Sequence, residues 1–303
     1  MTANTRMYWL HTISPLHVGS GRGVGFIDLP IAREKVTGWP LVPGTAVKGV
    51  LADNYGASVK ARETEGVNRD LFRTAFGVAG DEHSNSGSLV FSDARLVCLP
   101  VRSLYGTFAW LTSPLALRRL IRDLEACGGS AGFQVPEGLA AQQLYVPQDI
   151  ASALVDTATG KVYLEDLDFT AQANAATKTW AETIAKWLFP DDAEWAAEFS
   201  KRFAVVPDDS FNFLSETGTE VNARVRIDPD KKTVMKGALW YEESLPAESV
   251  LAGLIWCDRL YGAGGTTQQE LLTRFCTSAV NLQVGGKATV GKGRVRCLFS
   301  PKG

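Results

Sequence analysis

The spacing of apolar residues divides the first half of the chain into alternating strands and helices. Residues 7–13 (MYWLHTI) predict a strand and, after a glycine-rich stretch, residues 44–62 predict a helix. Residues 88–101 and 106–112 are rich in β-branched and aromatic side chains and predict two further strands. A helix over residues 114–126 follows, because proline is tolerated in a first helical turn. This β-α-β-β-α order needs one more strand to complete a ferredoxin-like unit, so the predicted fold class is α+β.

The missing strand of that unit is predicted at residues 161–165 (KVYLE). Residues 173–188 and 193–202 carry alanine, tryptophan and lysine at helical spacing. Together they predict a helical insertion, at about 166–204, on the sheet scaffold.

Residues 220–241 predict a β-hairpin. Apolar and polar residues alternate, break at the turn sequence Asp228-Pro229-Asp230, and resume with valine, methionine and aromatic residues. An exposed hairpin of this kind can reach nucleic acid, whereas the alternative is a solvated edge hairpin. Its two arms carry Met235 and five basic residues: Arg224, Arg226, Lys231, Lys232 and Lys236.

A basic, glycine-rich segment closes the chain. A helix is predicted near residues 267–278, and strand-like pieces follow at 280–299. The string GKATVGK has P-loop spacing, but glycine replaces the Ser or Thr that would bind magnesium and a strand follows, which excludes that motif. Backbone N–H groups beside Lys287 and Lys292 are instead suited to cradling phosphates of any sequence. Four glycines interrupt the strand-like pieces: Gly285, Gly286, Gly291 and Gly293.

Composition narrows the class of protein. The 303 residues are 45% hydrophobic and 21% charged, which is typical of a globular protein with a large core. No apolar run of about 18 residues and no secretory signal is present, so we expect no membrane partner and a cytoplasmic location. The five cysteines are scattered among apolar neighbours and are expected to be buried. The net charge of -2 gives no global attraction to nucleic acid, so any such contact depends on local basic clusters.

Two residues beside the glycine loop GSGRGVG carry chemistry suited to RNA cleavage. The loop does not fit a dinucleotide-binding motif, because its glycines never satisfy G-x-G-x-x-G. His17 and Asp28 flank it, and attack by an RNA 2′-hydroxyl needs a group that takes or positions its proton. Asp28 can reach a bound backbone directly or through Mg²⁺. On these residues alone, the interpretation of Asp28 as a turn or capping residue is favoured, and so is that of His17 as a satisfied loop histidine.

Six sequence blocks, in a fixed order, span nearly the whole chain. They are SPLHVGSG, GFIDLPIARE, TGWPLVPGTAVKGVL, FSDARLVCLPVRSLYGTFAWLTSP, GALWYEESLP and LQVGGKATVGKGRV. The second contains the unusual string D-x-P-I-x-R-E, which runs from Asp28 to Glu34. In this order the blocks resemble the RAMP superfamily of CRISPR proteins, and specifically the repeated backbone subunit of the type III-B (Cmr) effector complex.

The resemblance implies a single RAMP domain over residues 1–303. Its parts would be a ferredoxin-like (RRM-like) palm, the helical insertion, and a protruding β-hairpin thumb at about 215–242. Copies of such a subunit stack in a helical filament along guide crRNA, together with other Cmr subunits. Each thumb then pushes a base pair out of the guide–target duplex at a regular interval.

The same resemblance implies a metal-dependent endoribonuclease that cuts target RNA beside each displaced base. Asp28 would be the catalytic residue and the ligand of a divalent ion, Mg²⁺, with His17 secondary and with Tyr241 and Glu242 as further candidates. Guide or target RNA would be contacted by a larger set: Arg33, Thr45, Lys48, Arg102, Ser103, Arg224, Arg226, Met235, Gly285, Gly286, Lys287 and Lys292. Base pairing, rather than the protein, would select the sequence.

Two other functions remain open. The first is a scaffold that binds guide RNA and does not cut. The second is a metal-independent endoribonuclease that processes precursor crRNA with His17 as its general base. The thumb-like hairpin and the D-x-P-I-x-R-E string favour the backbone subunit over the processing enzyme.

Overall fold

A large mixed β-sheet with helices on both faces forms the centre of the protein. The computed structural model describes residues 4–21, 23, 25–61, 69–78, 84–129, 132–261 and 265–300. Its strands are β1 (Thr5–Thr12), β2 (Leu41–Val42), β3 (Gly77–Val78), β4 (Asn85–Ser86), β5 (Val90–Phe91), β6 (Ala94–Arg102), β7 (Phe108–Thr112), β8 (Gln143–Pro147), β9 (Lys161–Leu164), β10 (Leu167–Asn174), β11 (Phe203–Val205), β12 (Glu220–Ile227), β13 (Val234–Ser244), β14 (Val250–Trp256), β15 (Val280–Gln283) and β16 (Arg294–Phe299). Its helices are α1 (Gly44–Ala61), α2 (Arg69–Phe76), α3 (Pro114–Ala126), α4 (Ala175–Leu188), α5 (Ala193–Arg202), α6 (Asp208–Thr217) and α7 (Gln268–Phe275).

The main sheet mixes antiparallel and parallel pairs. Its strands run in the order β15-β16-β1-β14-β6-β7-β11-β8-β10-β9, with β2 beside β6 and β5 beside β14. The first strand lies antiparallel between β14 and β16, so both neighbours come from the last part of the chain. The pairs β7–β11 and β8–β10 are parallel. The expected combination of helices and sheet is therefore present.

The predicted placement of residues 161–165 is wrong. A strand forms there as β9, but it lies at the far edge of the sheet and pairs with β10. The positions beside β1 are taken by β14 and β16. Local pattern predicts that a strand forms, whereas its neighbour is chosen by how distant segments pack.

Side chains of β1 alternate between two hydrophobic cores. Tyr8 and Leu10 face the core that contains α1, α2, α6 and α7, and Met7 and Trp9 face the core that contains α3, α4 and α5. Successive side chains of a strand point to opposite faces, so a strand covered on both faces is apolar almost throughout. This explains the run MYWL at the start of the chain.

Helix boundaries follow the local signals where caps are present. The helix predicted from residue 114 to 126 is confirmed as α3, whose first N–H groups are capped by the Ser113 side chain. Asn174 and Asp192 cap α4 and α5, within the segment predicted as a helical insertion. The helix α6 was not predicted. It ends at Thr217, inside the segment of about 215–242 expected as the thumb, whereas the hairpin begins at Glu220 as predicted.

The strand predicted over residues 88–101 is divided in two by Ser92 and Asp93. Asp93 leaves the strand to accept a hydrogen bond from Gly44 N, 2.8 Å, at the start of α1. Ser92 accepts one from Leu254 N, also 2.8 Å. Both side chains therefore serve contacts with other segments that a local strand pattern does not show.

The β12–β13 hairpin forms a two-stranded sheet separate from the main one. Its register pairs Arg224 with Trp240 and Val225 with Leu239, which confirms the predicted hairpin and its turn at residues 228–233. Because side chains alternate, one face carries the apolar pair and the other carries the arginine. Leu239 is 54% exposed, so the apolar face lies open over much of the hairpin.

The cysteines behave as buried apolar residues. All five are free, and four of them are buried, which confirms the prediction for those four. Burial raises the pKa of Cys276 to about 12, so its thiol stays protonated at neutral pH.

Candidate functional site

Residues 14–32, which we call the aspartate loop, fold back on themselves directly after β1. Ala32 N donates to Val18 O at 2.7 Å, and Ser20 N donates to Pro30 O at 3.0 Å. Arg22 and Val24 lie outside the described residues. The two arms of the loop thus pair like a short ladder, and its far end carries Asp28.

Asp28 is exposed and is held against the last residues of β13. Its Oδ2 accepts a hydrogen bond from Tyr241 N at 2.8 Å. On either side of this contact, Leu29 N donates to Tyr241 O and Glu243 N donates to Leu29 O, both at 3.0 Å. The Phe26 ring adds an edge-to-face contact with Tyr241, at 6.2 Å between centroids. The carboxylate is therefore displayed to solvent at a defined position beside the base of the hairpin.

His17 is buried beneath the same loop. Its Nδ1 donates to the Glu243 carbonyl oxygen at 2.6 Å. A carbonyl oxygen only accepts, so the neutral ring carries its proton on Nδ1 and leaves Nε2 as a proton acceptor. A Cβ added to Gly19 would lie 3.3 Å from Nε2, so glycine keeps that side of the ring uncrowded.

Glu243 joins the aspartate loop to the hairpin. It is 2% exposed. Its Oε2 accepts from Ile31 N at 2.9 Å, and its Oε1 accepts from Arg33 Nη2 at 2.6 Å and from Thr219 Oγ1 at 2.9 Å. With its backbone contacts to Leu29 and His17, this one residue holds both candidate catalytic groups in register with β13.

Glu242 joins the hairpin to the C-terminal glycine-rich segment. Its carboxylate is buried and accepts from Lys287 Nζ and Trp240 Nε1 at 2.7 Å each, and from Arg224 Nε at 3.3 Å. Burial alone would raise the pKa of this carboxyl. The hydrogen bond and charge of Lys287, with the hydrogen bonds from Trp240 and Arg224, outweigh burial and lower the pKa to about 2. Glu242 is therefore ionised under all ordinary conditions.

The Glu242 carboxylate should stabilise the fold in a pH-dependent manner. Its pKa in the folded protein, about 2, lies below the ordinary 4.5, so the stabilisation is fully present above pH 4.5 and is lost as the pH falls toward 2. Glu242→Gln should therefore lower the Tm at neutral pH, and this difference should shrink as the pH falls below 4.5. Thermal denaturation across a pH series measures both effects.

Glu125→Gln is the matched control for that experiment, because Glu125 is an exposed carboxylate on α3. Its Tm should equal that of the unmodified protein at every pH. A Glu242→Gln difference that stays constant through the acid range would contradict the assignment.

Two basic residues of the C-terminal segment point into the protein. Lys292 is 5% exposed, and its Nζ donates to Ser244 Oγ at 2.6 Å. Burial lowers the pKa of Lys292. Lys287 is partly exposed, although its ammonium group is paired with Glu242. Both lysines were predicted to hold RNA. The side chain of Lys287 is only partly available for such a contact, and the side chain of Lys292 is buried.

Gly285 and Gly286 lie against the aspartate loop. Gly286 N donates to His17 O at 2.9 Å. Gly285 has φ +73, and a Cβ there would lie 2.2 Å from His17 O. Only glycine allows this approach and this backbone conformation together.

The other residues predicted to contact RNA lie in four further places. Arg33 directs its guanidinium to Gly38 O at 2.8 Å and Ser215 O at 3.1 Å, besides Glu243, so its charge is used within the protein. Thr45 is exposed on α1, and burial lowers the pKa of the partly buried Lys48 on the same helix.

At the end of β6, Arg102 is exposed, whereas Ser103 is buried and its hydroxyl oxygen has no hydrogen-bond partner among the described residues. On the hairpin, Arg226 and Met235 are exposed toward the turn. The structure therefore brings together the aspartate loop, the hairpin base and the glycine-rich segment, and it leaves α1, β6 and the hairpin turn as separate surfaces.

Sequence analysis did not single out Glu243, Ser244 or Thr219. A signal was available in the string YEES, because neighbouring residues of a strand point to opposite faces. Two adjacent carboxylates at the buried end of a strand each need partners. That pattern indicates two polar networks, one on each side of β13, but it does not say which residues complete them.

Asp28 fits a divalent ion as a single protein ligand. In the part of the chain that the structure describes, no group of three or more His, Cys, Asp or Glu side chains is arranged to hold a metal. Mg²⁺ commonly takes one or two carboxylates and completes its shell with waters and substrate phosphates. An exposed aspartate meets that requirement only together with a bound phosphate.

Comparisons with known proteins agree over nearly the full length. The model of the RAMP superfamily matches residues 9–296. The chain is 36% identical over 294 residues to the CRISPR system Cmr endoribonuclease Cmr4 of Pyrococcus furiosus, covering 95% of this chain and 92% of that protein. The crystal structure of oligomeric Cmr4 from Pyrococcus furiosus matches with a TM-score of 0.72 at 28% identity, over 98% of both chains.

A chain of a type III-B Cmr-beta complex, solved by cryo-EM with cognate target RNA bound, has the same fold. Its TM-score is 0.72 at 20% identity, over 97% of this chain and 96% of that one. The chain described here therefore belongs to the RAMP superfamily. Within that superfamily, its similarity to Cmr4 extends from end to end, which confirms the resemblance drawn from the six sequence blocks. Among the described residues, no helix has both the length and the apolar character needed to cross a membrane.

Proposed function

We propose that the chain is a backbone subunit of a type III-B CRISPR effector complex that binds guide crRNA and cleaves complementary target RNA. The observation that carries this proposal is the exposed Asp28 carboxylate, which is fixed by Tyr241 N at the base of the hairpin. The relative from Pyrococcus furiosus, 36% identical, is named an endoribonuclease. The related complex was solved with cognate target RNA.

The assembly follows from the same proposal. Copies of the chain lie side by side in a helical filament along the crRNA, together with other Cmr subunits. The main sheet and its helices act as a ferredoxin-like palm, the segment near 166–204 as a helical insertion, and the β12–β13 hairpin as the thumb. The open apolar face of the hairpin suits contact with displaced bases, and its arginines suit contact with phosphates.

Cleavage proceeds by attack of the 2′-oxygen of the target on the adjacent phosphorus. The new bond from the 2′-oxygen replaces the bond from phosphorus to the 5′-oxygen, and the departing 5′-oxygen takes a proton from water. The products therefore carry a 2′,3′-cyclic phosphate and a 5′-hydroxyl. Asp28 positions the reacting group from its hydrogen-bonded place beside Tyr241. His17, with Nε2 unprotonated, is suited to accept the proton of the 2′-hydroxyl.

A divalent ion, Mg²⁺, held by Asp28 and an RNA phosphate would stabilise the charge that develops on the phosphoryl oxygens. Guide and target contacts are assigned to the residues that lie on exposed surfaces. Lys48 and Thr45 approach a phosphate at the start of α1, where helical N–H groups favour anions. The remaining contacts fall on the end of β6, the hairpin and the glycine-rich segment: Arg102, Arg224, Arg226, Met235, Gly285, Gly286 and Lys287.

Removal of metal is expected to stop target cleavage and leave guide binding intact. The assembled complex is incubated with end-labelled target RNA, with and without a chelator, and products are resolved by gel. Cuts at a fixed spacing should disappear with chelator and return when Mg²⁺ is restored. A target carrying a 2′-deoxy sugar at one cut position should lose only that cut.

The second candidate function is metal-independent processing of precursor crRNA by His17. The observation that favours it is the hydrogen bond between His17 Nδ1 and the Glu243 carbonyl oxygen, which leaves Nε2 to accept a proton. In that case cleavage persists in chelator, falls on the precursor, and is lost in His17→Ala. A complex that binds guide and target and cuts neither under any condition would identify a scaffold.

A further inference from the structure

We infer that Glu243 is a positioning residue for the cleavage site, an inference that rests on the proposed function of Asp28. It does not face the RNA, because it is 2% exposed. Its contacts instead hold the backbone on the C-terminal side of Asp28. Glu243 N donates to Leu29 O at 3.0 Å, and Glu243 Oε2 accepts from Ile31 N at 2.9 Å. Since Asp28 Oδ2 is bound by Tyr241 N, one short stretch of β13 holds both the side chain of Asp28 and the backbone that follows it.

The same residue sets the orientation of the second candidate group. The Glu243 carbonyl oxygen receives the Nδ1 proton of His17 at 2.6 Å. A movement of β13 at this point would therefore displace His17 and Asp28 together. A displacement of about 1 Å at a reacting group costs up to about 10²-fold in rate, even when the altered residue never touches the substrate.

A carboxylate is required here because both of its oxygens accept. Oε1 receives Arg33 Nη2 and Thr219 Oγ1, and Oε2 receives Ile31 N. Glutamine keeps the shape but turns one oxygen into an N–H₂ donor. That donor would face either the Ile31 N–H or the Arg33 guanidinium, so two buried donors would confront each other. The aspartate loop would then lose its side-chain anchor at Ile31, although its backbone pairing with β13 remains.

The test separates the rate of cleavage from the affinity for target. Glu243→Gln is assembled into the complete complex, the single-turnover rate is measured at saturating target with Mg²⁺, and target affinity is measured in chelator. The rate should fall about 10²-fold, and the affinity should stay within about twofold of that of the unmodified complex. Equal losses of rate and affinity, or an unchanged rate, would overturn the inference.

Two further variants keep the test decisive. Asp123→Asn removes a buried carboxylate of α3 that pairs with Arg95 and Arg122, and it should cleave at the unmodified rate. Thr219→Val removes only the hydroxyl that donates to Oε1, and it should slow cleavage by roughly tenfold. If Glu243→Gln fails to assemble, an unchanged rate in Thr219→Val overturns the inference by itself.

Asp28→Ala, measured in parallel, distinguishes the two levels of the proposal. Loss of cleavage in Asp28→Ala with full activity in Glu243→Gln would reject the positioning role alone. Full activity in Asp28→Ala would reject the proposed function and the inference that rests on it.

Discussion

Asp28→Ala is expected to lower the rate of target cleavage by about 10²–10⁴-fold, the usual contribution of a positioned acid–base or metal-binding group. The affinity of the assembled complex for guide and target should remain, because the Asp28 carboxylate is an anion and makes no attraction to phosphate. The loop should keep its place, since Leu29 and Glu243 continue to pair through their backbones. Single-turnover cleavage of labelled target, together with target binding measured in chelator, gives both quantities.

Asp28→Asn sharpens this experiment. Asparagine retains an oxygen that accepts from Tyr241 N, so the loop contact survives while the charge is lost. It should be nearly as inactive as the alanine variant if charge or metal binding is the function of the residue. Asp209→Ala, which removes an exposed carboxylate on α6, is the control and should cleave normally. Regularly spaced cuts by both Asp28 variants at the unmodified rate would show that another residue performs the cleavage.

Gly285→Ala is expected to destabilise the protein strongly. A Cβ at this position would lie 2.2 Å from His17 O and 2.9 Å from His17 C, and φ is +73. The left-handed backbone costs an alanine about 1–2 kcal/mol, and forced overpacking adds about 1–3 kcal/mol. We therefore expect a loss of roughly 3 kcal/mol in the free energy of unfolding, measured by denaturant titration. Because the clash pushes on the His17 backbone, target cleavage should fall as well.

Gly291→Ala separates the two causes of that loss. Gly291 lies in the same segment with φ +83, and a Cβ there meets nothing within 4 Å. The control should therefore lose only the part of the free energy of unfolding that comes from the left-handed backbone, about 1 kcal/mol. It should cleave like the unmodified complex. Equal losses for the two variants would mean that the close approach between Gly285 and His17 contributes nothing.

Local sequence signals predicted the elements whose causes are local. The helix α3 begins after a serine cap with proline in its first turn, and the hairpin turns at Asp228-Pro229-Asp230, so each boundary is encoded within a few residues. The strand β9 was predicted as an element, but its partner was not, because pairing depends on segments far apart along the chain. The helix α6 was not predicted, because no side chain caps its start after Pro207.

In the candidate site too, the residue types could be predicted from the sequence, whereas their partners could not. Asp28 and His17 were found because their residue types suit RNA chemistry and because they lie in a recognisable block of sequence. Lys287 and Lys292 were assigned to the RNA surface from their charge, whereas the structure pairs one with Glu242 and buries the other on Ser244. A formal charge in a sequence does not reveal whether a counter-ion will neutralise it.

From the sequence alone it was possible to predict five of the seven described helices, the hairpin, the resemblance to the RAMP superfamily and the residue types available for catalysis. Capping, turn formation and alternation act over a few positions, and family blocks are read directly from the order of residues. The tertiary structure alone decided that the contacts of Leu29, Tyr241 and Glu243 would hold Asp28 in place. These contacts join residues more than 200 positions apart, such as Tyr241 N and Asp28 Oδ2, which are separated by 213. They form only when the aspartate loop is laid against β13, because no local interaction can specify a partner that the chain reaches so much later.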